Sequence, residues 1–141
     1  MTDADRLTHT WPSVLLLFVT ALGCGSNGPE KATVTGTVTF AGKPIEFGMI
    51  KFNPIEGTSG PFSSAAIKNG EYRIDNKGGV PVGRHRVQID GYRKAIVAPP
   101  GLPLEEAPPD QYIPAKYNSA SELTEEIRAD ESPAIRNYTL E

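Results

Sequence analysis

The chain has 141 residues, a formal net charge of -3, 38% hydrophobic and 22% charged side chains, one cysteine, 14 glycines and 13 prolines. That length fits a single domain, and the glycine and proline load favours short strands joined by turns over long helices. An acidic balance lacks the electrostatic footprint of a nucleic-acid partner, and a lone cysteine excludes an intramolecular disulfide or a multi-cysteine metal site.

Residues 14–22 read Val-Leu-Leu-Leu-Phe-Val-Thr-Ala-Leu. This run is far shorter than the ~20 residues of a spanning helix and fits the roughly 7–15 residues of a signal-peptide core. It ends in Ala21-Leu22-Gly23-Cys24, which resembles the lipobox cut by the lipoprotein signal peptidase. The resemblance implies a signal peptide over residues 1–23, diacylglycerol on the Cys24 thiol, and the membrane as a partner through that lipid. Gly25 stands where enteric bacteria place an inner-membrane retention aspartate, so the expected location is the cell envelope, at the outer rather than the inner membrane. Residues 24–31, with Gly, Ser and Pro, read as the lipidated cysteine and a flexible tether, leaving residues 32–141 as the domain.

From residue 33 polar threonines alternate with Val34, Gly36, Val38 and Phe40, the pattern of a half-buried strand. A second strand follows the turn at residues 41–44, with Gly48, Ile50 and Phe52 on one face, and stops at Asn53-Pro54. Residues 64–67 and 71–75 flank Lys68-Asn69-Gly70, and Asn-Gly favours the positive backbone angles of a tight hairpin; Ala65, Ile67, Tyr72 and Ile74 are expected inside. Residues 84–91 alternate His85, Val87 and Ile89 with Arg84, Arg86 and Gln88. Residues 95–114 carry six prolines, which lack the amide donor of a ladder, and are expected to form a long surface loop. Strands over residues 122–128 and 134–140, with Leu123, Ile127, Tyr138 and Leu140 as core candidates, bring the total to seven. The expected fold is all-β, a seven-stranded antiparallel sandwich.

The pieces Val34-Thr35-Gly36-Thr37-Val38, Gly42-Lys43-Pro44-Ile45, Gly48-Met49-Ile50-Lys51-Phe52, Asn69-Gly70-Glu71-Tyr72 and residues 83–89 resemble, in that order, the carboxypeptidase regulatory-like domain. Its fold is the transthyretin (prealbumin-like) sandwich. Residues 114–124 resemble the closing segment of small lipoproteins built on it. The resemblance implies a non-catalytic accessory or adhesion module and supplies no ligand or cofactor.

Chemistry is sparse. After residue 23 the sole histidine is His85, so no two-histidine metal site can be built, and its alternation with Val87 and Ile89 reads as a core-edge residue. The related 5-hydroxyisourate hydrolases end in Tyr-Arg-Gly-Ser, whereas this chain ends Tyr138-Thr139-Leu140-Glu141. Arg84 and Arg86, with Arg73, Arg93 and Lys94, could meet and clamp an anion, or form a solvated face. Glu125 shares the inward parity of Leu123 and Ile127, and Lys31, Asn137 and Glu71 are nominal partners for a self-formed isopeptide. In the proline-rich segment Pro99, Pro100, Leu102 and Leu104, with Tyr112 and Ile113, form either a partner contact or a cover for a sheet edge. The leading expectation is a non-enzymatic envelope lipoprotein contacting protein or polysaccharide. The alternative is a small-ligand binder with a pocket between sheets or at a dimer seam, and the oligomeric state stays open.

Overall fold

The computed structural model describes residues 28–93 and 110–141. Apart from two single-turn 3-10 helices over Asn76–Gly78 and Ala115–Tyr117, the regular structure among them is all strand. The strands are β1 (Lys31–Ala32), β2 (Val34–Phe40), β3 (Lys43–Pro44), β4 (Phe47–Pro54), β5 (Ser63–Lys68), β6 (Glu71–Ile74), β7 (Val80–Pro81), β8 (Gly83–Tyr92), β9 (Thr124–Ile127), β10 (Ala134–Ile135) and β11 (Tyr138–Leu140). Each of the seven expected strand windows contains a strand. The two-residue ladders β1 with β7 and β2 with β3 are additions, too short to carry a period.

The main sheet runs β10-β2-β6-β5-β4-β8-β9, and β1 and β7 form a separate two-stranded sheet. The alternation seen in sequence becomes a shared inner face because the registers agree. Ile50 lies opposite both Ala65 and Ile89, Phe52 opposite Val87, Gly48 opposite Ile67, and Val34 opposite Ile74. Val34, Val38, Ile50, Phe52, Val87, Ile89 and Ile127 are wholly removed from solvent. Burial of each such side chain contributes about 1.5–3 kcal/mol before conformational entropy is subtracted. The β5–β6 turn is the expected hairpin, with Asn69 at φ 51° and Gly70 at φ 80°.

Two features depart from a purely antiparallel sandwich. First, β10 and β11 pair parallel to β2, Ala134 beside Val34 and Tyr138 beside Val38, so both short strands keep one register. Between them the Asn137 side chain replaces the backbone ladder: its Oδ1 accepts from the Thr37 amide at 2.9 Å and from the Thr37 hydroxyl at 3.1 Å. Second, the sheet is curled. Six inter-strand steps of about 4.8 Å would separate β9 from β10 in a flat sheet by about 29 Å, whereas the seven Cα steps from Ile127 to Ala134 reach about 24 Å at most. The curl brings the two ends of the path together, and Arg136 bridges them. Its Nη2 donates to the Glu126 carbonyl at 3.0 Å, its Nε lies 3.1 Å from Glu125 and its Nη2 lies 2.6 Å from Glu131. Glu125 thus turns inward as its parity requires, and the charge is met by Arg136. Beneath this bridge the Tyr72 hydroxyl donates to the Arg136 carbonyl at 2.8 Å, and burial raises the pKa of both Tyr72 and Tyr138.

Candidate binding groove at the pole opposite the chain's entry

The strands give the molecule two poles. Residues 28–32 join it where β2 and β8 begin and β4 ends: the Val82 amide donates to the Glu30 carbonyl at 2.8 Å, and β1 pairs β7 just before β8. The opposite pole holds the ends of β2, β5 and β8, and the starts of β4 and β6. The ten residues of β8 separate the poles by about 30 Å.

At this far pole lies an open groove of about 810 Å³, lined by Phe40, Ala41, Lys43, Pro44, Glu46, Asn69, Tyr92, Arg93 and Tyr112. Its floor is held by turn hydrogen bonds: the Asn69 amide donates to the Glu46 carbonyl at 2.9 Å and the Gly70 amide to the Ile45 carbonyl at 2.7 Å. One wall is aromatic. The rings of Phe40 and Tyr112 meet at 5.8 Å and 59°, and the Arg93 guanidinium lies 5.4 Å from the Tyr112 ring centroid. A guanidinium stacked on a ring keeps its N–H donors directed outward from its edge. Burial raises the Tyr112 pKa, with Glu46 adding to the effect and Arg93 opposing it; burial and then Asp90 raise that of Tyr92. All three aromatics are half-buried, while Lys43, Glu46, Asn69 and Arg93 are exposed.

Tyr112 is the one expected contact of the proline-rich stretch that the structure places in this groove. Pro99, Pro100, Leu102 and Leu104, like Cys24 and Lys94, lie outside the described residues. The expectation that residues 95–114 make no ladder is corrected at their C-terminal end. The Arg93 amide donates to the Asp110 carbonyl at 3.0 Å, the Tyr112 amide donates to the Gly91 carbonyl at 3.0 Å, and Tyr92 bridges Gln111. No proline falls between Pro109 and Pro114, so Tyr112 keeps the amide donor a ladder needs while Asp110 supplies the acceptor. Ile113 is buried in the core at 4% exposure, not presented as an anchor. Gly91 permits the approach, since a Cβ there would lie 2.7 Å from the Ile113 side chain.

Arg84 is exposed at the entry pole and Arg86, two residues further along β8, is exposed in the entry half of the strand, away from the groove. Arg84 already faces Glu56 at 2.9 Å, and a hollow of about 500 Å³ beside it is lined by Glu30, Glu56 and Glu126 as well as Arg84. Arg73, on β6 three strands away from β8, pairs with Asp75, and Arg93 pairs with Asp110 at the far pole. The described arginines are therefore dispersed, each of these three with its own carboxylate. The isopeptide trio is likewise not assembled: Lys31 Nζ donates to the Lys77 carbonyl, Asn137 holds Thr37, and Glu71 is exposed on β6.

His85 is fully buried, deeper than a core-edge residue. Its Nδ1 lies 3.0 Å from the Gly83 carbonyl, its ring stands edge-on to Phe52, and Nε2 has no hydrogen-bond partner among the described residues. Burial lowers its pKa, with the Gly83 carbonyl opposing. Between the curled faces, where a small-ligand pocket would have to open, Phe52, Ile50, Ile89, Tyr72 and Tyr138 pack into one core.

Sequence reasoning reached Tyr112 but missed Phe40, Lys43, Glu46, Asn69 and Tyr92. A local signal for the aromatics existed: Phe40 and Tyr92 are the last residues of their strands and border connections, where a ring can be only half covered. Among the described residues no helix is long and apolar enough to cross a membrane. Comparison of the chain with protein-family models, with curated proteins and with solved structures found no match.

Proposed function

We propose that this chain is a non-enzymatic envelope lipoprotein, anchored through diacylglycerol on Cys24 at the outer membrane, whose sandwich contacts a protein or polysaccharide at its far pole. The observation that carries the reading is polarity. The chain enters the fold at one end, and the groove lined by Phe40, Tyr92 and Tyr112 lies at the other, about 30 Å away. A lipid at Cys24 would hold the entry pole near the membrane and turn the groove toward the envelope space. The likeness to the carboxypeptidase regulatory-like domain agrees with an accessory module, and the sealing of His85 in the core agrees with a non-catalytic one.

The test uses the full-length chain in a bacterial host. Palmitate labelling and membrane fractionation of wild type and Cys24→Ser are measured together with partner capture by wild type, Tyr112→Ala and the pair Arg84→Ala, Arg86→Ala. The reading expects Cys24→Ser to lose label and membrane association, Tyr112→Ala to lose capture, and the arginine pair to keep it. Equal labelling of Cys24→Ser, or capture lost with the arginine pair and kept by Tyr112→Ala, contradicts it.

A further inference from the structure

We infer that the far-pole groove is a binding site for a neutral oligosaccharide, because it sets the half-covered rings of Phe40, Tyr92 and Tyr112 beside the exposed polar side chains of Lys43, Glu46, Asn69 and Arg93. The inference rests on the reading that the far pole is the contact end, and adds the class of partner.

Three physical features select that class. Among the described residues the charges lining the groove and its rim cancel: Lys43 and Arg93 stand against Glu46 and against Asp110, which lies 3.5 Å from Arg93. From these four side chains a charged ligand gains no net complementary field, and a ligand of either sign meets a like charge. The lining mixes aromatic rings with hydroxyl, amide, carboxylate and guanidinium groups. A pyranose ring presents the matching surface, a C–H face for the negative face of an aromatic ring and a periphery of hydroxyls that donate and accept. The groove is also open and built on tight turns, with Ala41 at φ 48° and Asn69 at φ 51° pinned by backbone hydrogen bonds. A volume of about 810 Å³ suits several sugar units. A folded protein partner would be expected to find deeper apolar pockets for its anchors than this lining of three aromatics, one alanine and one proline provides.

Full-length protein in detergent is titrated with maltohexaose, cellohexaose, chitohexaose, hexagalacturonate and a proline-rich dodecapeptide, read by tyrosine fluorescence and backbone NMR shifts. The expected result is saturable binding of at least one neutral hexasaccharide, with shifts centred on Phe40, Tyr92 and Tyr112. Loss of an aromatic anchor is expected to weaken that binding about tenfold in Tyr112→Ala. Should Tyr112→Ala fail to fold, Glu46→Ala, at an exposed position, is expected to weaken it by a similar factor, while the pair Arg84→Ala, Arg86→Ala leaves it unchanged. The inference is overturned if no neutral sugar binds in the millimolar range, or if hexagalacturonate or the peptide binds tighter than every neutral sugar. It is also overturned if sugar binding survives both groove variants, or depends on residues 98–109 and on neither of them. Failure of the sugars while the far pole still captures a partner would remove only the ligand class; capture confined to the entry pole would remove the underlying reading as well.

Discussion

At Gly36, β2 and the chain between β10 and β11 approach so closely that an added Cβ would collide with the Arg136 carbonyl. The obstacle is backbone, which cannot swing away as the end of a long side chain can. Gly36→Ala is therefore expected to destabilise the protein by about 3 kcal/mol, read as a lower denaturant midpoint at unchanged slope. A loss below about 0.5 kcal/mol would show that the two strands can separate freely. His85 makes a second residue-scale prediction. Its folded pKa lies below the ordinary 6.5 because burial disfavours the imidazolium, so between the two values the unfolded chain binds more protons than the folded one. Stability should be level above about pH 7 and fall as pH drops from about 6.5 toward 5. Asp90, whose folded pKa burial raises, acts with the opposite sign, and because it is present in both proteins its contribution cancels when wild type is compared with a His85 variant. Urea midpoints across this window should slope for wild type and flatten in His85→Leu; equal slopes would mean that His85 is not the group responsible.

At the scale of elements, the Arg136 bridge closes the curled sheet where β9 meets the β10–β11 strand. The Arg136 side chain is 20% exposed and that of Glu125 is 28% exposed, so removal of Arg136 leaves a largely covered carboxylate beside the buried Tyr72 and Tyr138 hydroxyls. Arg136→Ala is expected to cost about 3 kcal/mol, and a double-mutant cycle with Glu125→Gln to show coupling above about 1 kcal/mol. Strict additivity would show that backbone pairing to β2, not the bridge, holds the seam. The proline-rich connection is bounded by a ladder of its own, with Arg93 hydrogen-bonded to Asp110. Replacing residues 98–109 with a short Gly-Ser link should accordingly change stability by less than about 1 kcal/mol, since loop closure depends only weakly on length. Unfolding of that variant would mean that the segment covers an edge. The seven strand windows were legible because a half-buried strand writes a period of two into its own residues. Parallel pairing of residues 134–140 with β2 was not legible, because the same alternation serves either direction. Nor was the Arg136 bridge: Glu125 could be read as inward, but its partner lies in the link between β10 and β11, which do not pair with β9.

For the whole molecule, the two poles sort the sequence-derived candidates. Tyr112, Arg93 and Asp110 fall at the far pole, Arg84 at the entry pole, and Arg86 in the entry half of β8. That division was hidden in the sequence because it depends on how β8 carries Arg84 and Tyr92 to opposite ends of one strand, and on where residues 28–32 join the fold. The groove was hidden for a related reason: Phe40, Asn69, Tyr92 and Tyr112 come from four separate stretches that converge only once the registers are set. The central claim is that function resides at the far pole of an anchored domain. It is tested most directly by placing a photo-crosslinking residue at Lys43 in one full-length variant and at Arg86 in another, and comparing adducts, protein or saccharide, formed in intact cells. The account predicts a discrete adduct from Lys43 that is lost in the Tyr112→Ala background, with none from Arg86. An adduct from Arg86 while Lys43 stays silent would contradict it.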